Sequence, residues 1–231
     1  VIVNKENLGK AKSINLALKR VKYPLVLTVD ADTVLDRGFV HNAVRGLYSL
    51  NVKGVCGSVL PSEVKSSVER SRLIEYLIGN SYKTIQRIIG GLWTLSGCAA
   101  LWRTSFLREH PVSDDTVVED MDESWLAQKD GKLIFIPKAV CYTKEPRDFV
   151  SYAHQIERWY SSRDVITKYF KEVRVGLKAT CMWMIAESLL GIGYLGLITY
   201  SLITQNFLIT AYLLGFDAAV VTAVSTVWGR R

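Results

Sequence analysis

The sequence predicts an α/β domain with a mixed, mainly parallel sheet covered by helices, followed by C-terminal transmembrane helices. Three observations carry this reading. Leu25-Val26-Leu27-Thr28-Val29 is an apolar run without polar alternation that ends in Asp30-Ala31-Asp32, the pattern of a parallel strand buried on both faces. Strand-length apolar runs then alternate with amphipathic helical stretches, as in βαβ units. From about Cys181 charges nearly vanish, and two apolar stretches of bilayer-spanning length follow.

In chain order, Val1 to Val3 reads as the tail of a strand, which leads us to expect further sequence upstream. Lys10 to Lys22 has helical spacing at Ile14, Ala17, Leu18 and Val21. It stops at Tyr23-Pro24, because the residue before proline avoids the α region. The Asp30 strand follows. Gly38 to Leu50 is expected as a helix, Gly54 to Leu60 as a strand stopped by Pro61, and Ser66 to Gln86 as a long helix. After a turn at Gly90-Gly91, Trp93 to Ala100 reads as a strand with a tight Ser96-Gly97 step. Asp120 to Lys129 is expected helical, Lys132 to Ile136 a strand closed by Pro137, and Asp148 to Lys171 one helix rich in aromatics and charge.

The spans run from about Cys181 to Thr204 and from Phe207 to Trp228, turning at Gln205-Asn206. Glu187 and Asp217 interrupt them. An acid near a helix centre costs about 2.5–3.5 kcal/mol, roughly what eight to ten aliphatic residues return. Lys168, Lys171, Arg174 and Lys178 precede the first span and Arg230-Arg231 follow the second. By the positive-inside rule both flanks are cytoplasmic. Two buried helices of a soluble core are the alternative.

The 29 Lys and Arg against 22 Asp and Glu give a net charge of +7. The excess lies in the first three quarters and suits a phosphate-bearing substrate or an anionic membrane surface. No basic face interleaved with exposed aromatics is visible, so nucleic acid is not expected as a partner. The four cysteines are far apart, with no C-x-x-C pair, which argues against a zinc site and for reduced thiols.

Asp30 and Asp32, at the carboxyl end of a strand, are placed to share a hard divalent cation whose remaining positions go to phosphate and water; the same pair also suits a turn cap. Asn7-Leu8-Gly9-Lys10 opens a helix with backbone N–H groups and an ammonium that can face an anion, or is an ordinary helix start. Among Asp114, Asp115, Glu119, Asp120, Asp122 and Glu123, one acid can serve as a general base while the others favour a helix N-terminus. Gln155-Ile156-Glu157-Arg158-Trp159 puts an amide, a guanidinium and an indole close together on one helix. Such groups suit phosphate oxygens and the apolar face of a sugar.

Together, Asn7-Leu8-Gly9-Lys10, Asp30-Ala31-Asp32, Ser96-Gly97-Cys98-Ala99-Ala100, Glu119-Asp120 and Gln155-x-x-Arg158-Trp159 resemble a family 2 glycosyltransferase in order and spacing. More narrowly, they resemble its processive membrane branch, the cellulose, chitin, hyaluronan and poly-N-acetylglucosamine synthases. The resemblance covers roughly residues 1–171. It implies a partial GT-A-like nucleotide-sugar-binding domain over 1–146, an amphipathic interfacial region carrying Q-x-x-R-W over 147–178, and a transmembrane hairpin over 179–231.

The resemblance also implies roles. Asp30 and Asp32 would hold Mg²⁺ or Mn²⁺ on the nucleotide diphosphate, and Asp120 would be the general base. Gln155 and Arg158 would bind the pyrophosphate, with Lys10 beside them on the nucleotide. Ser96, Gly97 and Glu119 would line the acceptor site, and Trp159 would stack on the acceptor sugar. Two departures stand out: Val118 replaces the family's threonine before Glu119-Asp120, and the first strand, with its uracil-contacting acid, has no counterpart in this chain. The implied activity is metal-dependent, inverting transfer from a UDP-sugar to a growing polysaccharide, by a multi-pass cell-membrane protein with its catalytic domain in the cytoplasm. Membrane lipids are the implied surroundings. The alternatives are single transfer to a lipid or lipid-phosphate acceptor, or an inactive truncated remnant acting as a membrane partner.

Overall fold

The computed structural model describes residues 2–48, 52–161 and 163–229, and only the backbone of Tyr160. Its centre is a five-stranded mixed sheet in the order β1-β4-β3-β5-β2. The strands are β1 (Leu25–Val29), β2 (Thr33–Leu35), β3 (Val52–Pro61), β4 (Ala99–Arg103) and β5 (Lys132–Thr143). β1, β3 and β5 share one direction and β4 and β2 run against them, so only β3 and β5 are parallel neighbours. Helices α1 (Lys10–Leu18), α2 (Phe39–Tyr48), α3 (Ser67–Ile89), α4 (Thr104–Glu109) and α5 (Glu119–Ala127) surround it. α6 (Phe149–Tyr160), α7 (Arg163–Tyr169), α8 (Val175–Ile203) and α9 (Phe207–Gly229) complete the chain.

Apolar alternation along the strands feeds both sheet faces. Phe39, Ala43 and Leu47 of α2 pack on Val55, Val59 and Leu101 on one face. Trp102, Phe135, Phe106, Leu92 and Leu95 fill the other, under Leu18 and Ile14 of α1. A third cluster joins Val118, Met121 and Trp125 to Val165, Tyr169, Val173, Leu177 and Cys181. It fastens α5, α7 and the first turns of α8 together.

Several expected elements differ. β1 is an edge strand, half-buried and antiparallel to β4, rather than a parallel strand buried on both faces. Ile2 and Val3 are not in a strand. α1 ends at Leu18, short of Lys22, and α2 ends at Tyr48, with Leu50 outside the described residues. β3 runs through Pro61. β2 and α4 were not expected.

The expected strand over Trp93 to Ala100 begins only at Ala99. Ahead of it the backbone is satisfied by side chains. Leu92 N donates to Gln128 Oε1 at 2.9 Å, Trp93 N to Gln86 Oε1 at 3.1 Å and Leu95 N to Ser124 Oγ at 2.9 Å. Buried amide groups need partners, and these replace a sheet ladder. Pro137 does not close β5. The register jumps from Gly57↔Ile136 to Ser58↔Val140, a bulge that accommodates the missing proline N–H. The expected Asp148–Lys171 helix divides into α6 and α7 at Ser161, whose hydroxyl bonds back to the Glu157 carbonyl at 3.2 Å.

α8 begins at Val175, ahead of Cys181, and its first turns belong to the domain: Leu177, Thr180 and Cys181 are buried, and Thr180 Oγ1 donates to Gly91 O at 2.7 Å. Beyond them both α8 and α9 are apolar and exposed, each long enough to cross a bilayer. Gln205, at φ 52°, makes the turn between them. α9 comes back to α3, where Trp228 Nε1 donates to Ser81 Oγ at 2.8 Å.

Candidate active site

The site is built where three irregular ends meet: the start of α1, the carboxyl end of β1 and the start of α5. Gly9, at φ 76°, leads into α1 without a side-chain cap, and Lys10 reaches across from its first turn. Lys10 Nζ lies 2.8 Å from Asp30 Oδ1, 3.1 Å from Glu119 Oε1 and 3.2 Å from the Gly97 carbonyl. Burial works against this ammonium, but its bonds to Asp30 and Glu119 outweigh burial and raise its pKa. Asp30 is fixed by the sheet, its N–H donating to Cys98 O at 2.9 Å.

Ser96-Gly97 forms the next wall. Gly97 N–H donates to Asp120 Oδ2 at 3.1 Å, and a Cβ at position 97 would stand 2.8 Å from that oxygen. Glycine is what lets the backbone come this close. The other Asp120 oxygen accepts from Met121 N at 2.9 Å. Desolvation by the surrounding protein, and then Glu119, raise the Asp120 pKa; Lys10, the Met121 N–H and Lys83 pull it back. Lys83 of α3 donates to Ser96 Oγ at 2.6 Å.

One turn further along α5, Glu123 is buried, and its Oε1 has no hydrogen-bond partner. Burial, then Glu119, Asp120 and Asp122, push its pKa up to about 8. Asp122 turns away to Lys168 Nζ at 3.0 Å and Tyr169 OH at 3.3 Å, which makes it a packing residue.

Lys10, Asp30, Gly97, Glu119 and Asp120 thus come together, with Ser96 adjacent. Asp32 is exposed two residues past Asp30 and receives only long contacts from Thr33 and Thr143. No group of three His, Cys, Asp or Glu side chains converges as a metal site among the described residues. Two carboxylates with free oxygens still fit Mg²⁺ or Mn²⁺, which take one or two such groups and complete their shells with water and phosphate. A cleft of about 420 Å³ between α1 and β1 is lined by Lys10, Ile14, Leu18, Val26, Thr28 and Asp30. A cleft of about 1250 Å³ beside α2 and Trp228 contains none of the expected site residues.

Gln155, Arg158 and Trp159 stand apart on α6. The Trp159 ring lies 4.8 Å from the Arg72 guanidinium of α3, and no described contact of the three reaches Asp30 or Asp120. Arg158 is exposed, and the Gln155 Oε1 is buried without a hydrogen-bond partner. Sequence reasoning missed Lys83, Arg72 and Glu145. No motif marks them, and the partners that give them a role, Ser96 for Lys83 and Trp159 and Glu145 for Arg72, lie further along the chain.

Comparison gives this mixed α/β domain a family. The profile of glycosyl transferase family group 2 matches residues 25–227, and the chain belongs to that family. It is 27% identical over 218 residues to a poly-β-1,6-N-acetyl-D-glucosamine synthase of Staphylococcus epidermidis, covering 90% of this chain and 52% of the relative. It is 28% identical over 159 residues to the synthase of that name from Staphylococcus aureus, covering 67% and 38%. The chain thus spans about half, or less, of these curated relatives. Among solved structures, a mannosyltransferase from Pyrobaculum calidifontis in complex with GDP-Man and Mn²⁺ matches 98% of this chain and 69% of its own, at TM-score 0.58 and 19% identity. That likeness is one of fold.

Proposed function

We propose that this chain carries the catalytic part of a processive, inverting, metal-dependent glycosyltransferase, moving a sugar from a UDP-sugar to a growing polysaccharide. The observation that carries the reading is the Asp120 carboxylate, clasped by Gly97 N–H beside Lys10, Asp30 and Glu119. The relatives' name makes UDP-N-acetylglucosamine the first donor to test.

In this mechanism Asp120 accepts the proton of the acceptor hydroxyl. The oxygen forms a bond to the anomeric carbon on the face opposite the diphosphate. The bond from that carbon to the phosphate oxygen breaks, and UDP leaves with the electron pair. Lys10 and Arg158 offset the charge of the departing diphosphate, and Gln155 adds a hydrogen bond. Asp30 and Asp32 would hold Mg²⁺ or Mn²⁺, which supplies Lewis-acid neutralisation of the diphosphate. Trp159 and Ser96-Gly97 receive the acceptor. Residues 1–146 form the donor domain, 147–178 lie along the membrane surface and 179–231 form the hairpin. Phe149 and Val150, 73% and 65% exposed, suit an interfacial α6.

The test uses the full-length protein in lipid nanodiscs. UDP release from UDP-N-acetylglucosamine should vanish in chelator and return with Mg²⁺ or Mn²⁺. Asp120→Asn should lower kcat by roughly 10²–10⁴, the worth of a general base, while the UDP-sugar still binds. Full turnover in chelator would remove the metal from the reading, and near-normal turnover of Asp120→Asn would remove the base.

A further inference from the structure

Arg72 is a cation with only 2% of its side chain exposed, far from any motif. Its Nε donates to Glu145 Oε2 at 2.7 Å, and that carboxylate is 1% exposed. Nη1 is bound to the Glu75 carboxylate. Three rings close over the guanidinium, with centroids at 4.6 Å for Tyr76, 5.5 Å for Tyr152 and 4.8 Å for Trp159. The tyrosines complete the ring of bonds: Tyr76 OH donates to Glu145 Oε1 and Tyr152 OH to Glu75 Oε1, both at 2.6 Å. Three segments are thereby joined, namely α3, the stretch after β5, and α6.

Tyr152, Gln155 and Trp159 stand at i, i+3 and i+7, one face of α6. Arg158 sits roughly a quarter-turn aside at about 100° per residue, which leaves it exposed. The Trp159 indole has the guanidinium against it and is still 40% exposed. Eleven residues along α3, about 16 Å at 1.5 Å per residue, Lys83 holds Ser96 beside Asp120. One rigid helix therefore meets both the Trp159 platform and the wall of the Asp120 pocket.

The geometry points to Arg72 as the positioning residue of the acceptor platform: it seats α6 on α3 and backs the Trp159 indole, setting the platform's distance from Asp120. The role requires a planar cation, since a guanidinium stacks between rings while bonding two carboxylates at its edge, and an ammonium does not. This rests on the transferase reading for what the platform binds; the seating of α6 does not.

Three forms of the full-length protein in nanodiscs test it: the parent, Arg72→Lys, and Arg72→Met paired with Glu145→Gln. The paired change avoids an unpaired buried carboxylate, which would unfold the region by itself. Hydrogen exchange of residues 149–160 should rise in both variants while that of α5 stays protected. With UDP-N-acetylglucosamine and an N-acetylglucosamine oligosaccharide, kcat/KM for the acceptor should fall roughly 10²-fold, as when a positioned group is displaced by about an ångström. The donor KM should rise far less, because α6 also carries Gln155 and Arg158 but Lys10 and Asp30 hold the donor from the sheet side. Trp159→Ala added to Arg72→Lys should cost little more, because coupled residues are non-additive. Parent-like exchange over 149–160 overturns the seating. A donor KM that rises as far as the acceptor kcat/KM falls, or additive effects with Trp159→Ala, overturn the positioning role. A parent that transfers no sugar defeats the transferase reading alone, and the exchange of α6 still decides the seating.

Discussion

Glu123 carries an energetic cost that its neighbours explain. It lies one helical turn after Glu119, where an i, i+4 pair of like charges already repels, and 7% of it is exposed. With its pKa pushed up to about 8, the folded protein keeps the proton that the unfolded chain releases above about 4.3. The folded state then binds more protons than the unfolded one, so stability falls as pH rises between those values and levels off above about 8. Glu123→Gln removes that loss. The variant is expected to equal the parent near pH 4 and to exceed it at pH 8 by on the order of a few kcal/mol, measured by denaturant unfolding across that range. A pH-independent difference would mean that Glu123 is ionised in the fold. Asp120 is raised in the same direction but has Lys10, Lys83 and two backbone N–H groups against its charge. Both carboxyls are raised by burial, and they differ in the cations and N–H groups that face them.

At the scale of elements, β5 shows where sequence reading stops. Pro137 signals a strand end because it cannot donate to a ladder, yet the strand continues because Gly57 on β3 admits a bulge. A Cβ at position 57 would lie 1.7 Å from the Ala139 carbonyl oxygen, so Gly57→Ala should cost at least about 1–3 kcal/mol, the range for overpacking a core. Gly79 of α3 has nothing within 4 Å of its Cβ position. Gly79→Ala should therefore stabilise by roughly 0.5–1 kcal/mol. Thermal unfolding of the two variants checks both signs, and a tolerated Gly57→Ala would remove the bulge as the reason. The helices α1, α2 and α3 were legible because one-sided apolar spacing is local. So were Lys10, Asp30, Gly97, Glu119 and Asp120, which carry their chemistry in short motifs. The edge position of β1, the side-chain ladder over 92–98 and the Arg72–Glu145 pair were not. Nearly all of these contacts join residues far apart along the chain, which only the topology brings together.

For the whole molecule, the question is which side of a membrane each end of the hairpin faces. α8 leaves the domain from a buried start at Leu177, Thr180 and Cys181, and α9 ends with Trp228 bonded to Ser81 of α3. A hairpin that departs from and returns to one helix has both ends on the domain's side. Its acids are sheltered where they sit. Tyr82 of α3 donates to Glu187 Oε1 at 2.7 Å, and Tyr194 donates to Asp217 across the hairpin; each bond offsets part of the roughly 2.5–3.5 kcal/mol that an acid costs at a span's centre. Lys168, Lys171, Arg174 and Lys178 crowd the first end, and positive flanks stay in the cytoplasm. Reporter fusions after Lys171 and after Arg231 are therefore both expected to score cytoplasmic. A reporter outside the cytoplasm at Arg231 alone would mean that α9 does not return to α3, and the Trp228–Ser81 contact would have to be given up with the hairpin. A reporter outside at both points would place Asp30 and Asp120 away from the cytoplasmic supply of nucleotide sugars, and the transferase reading would fail with the topology.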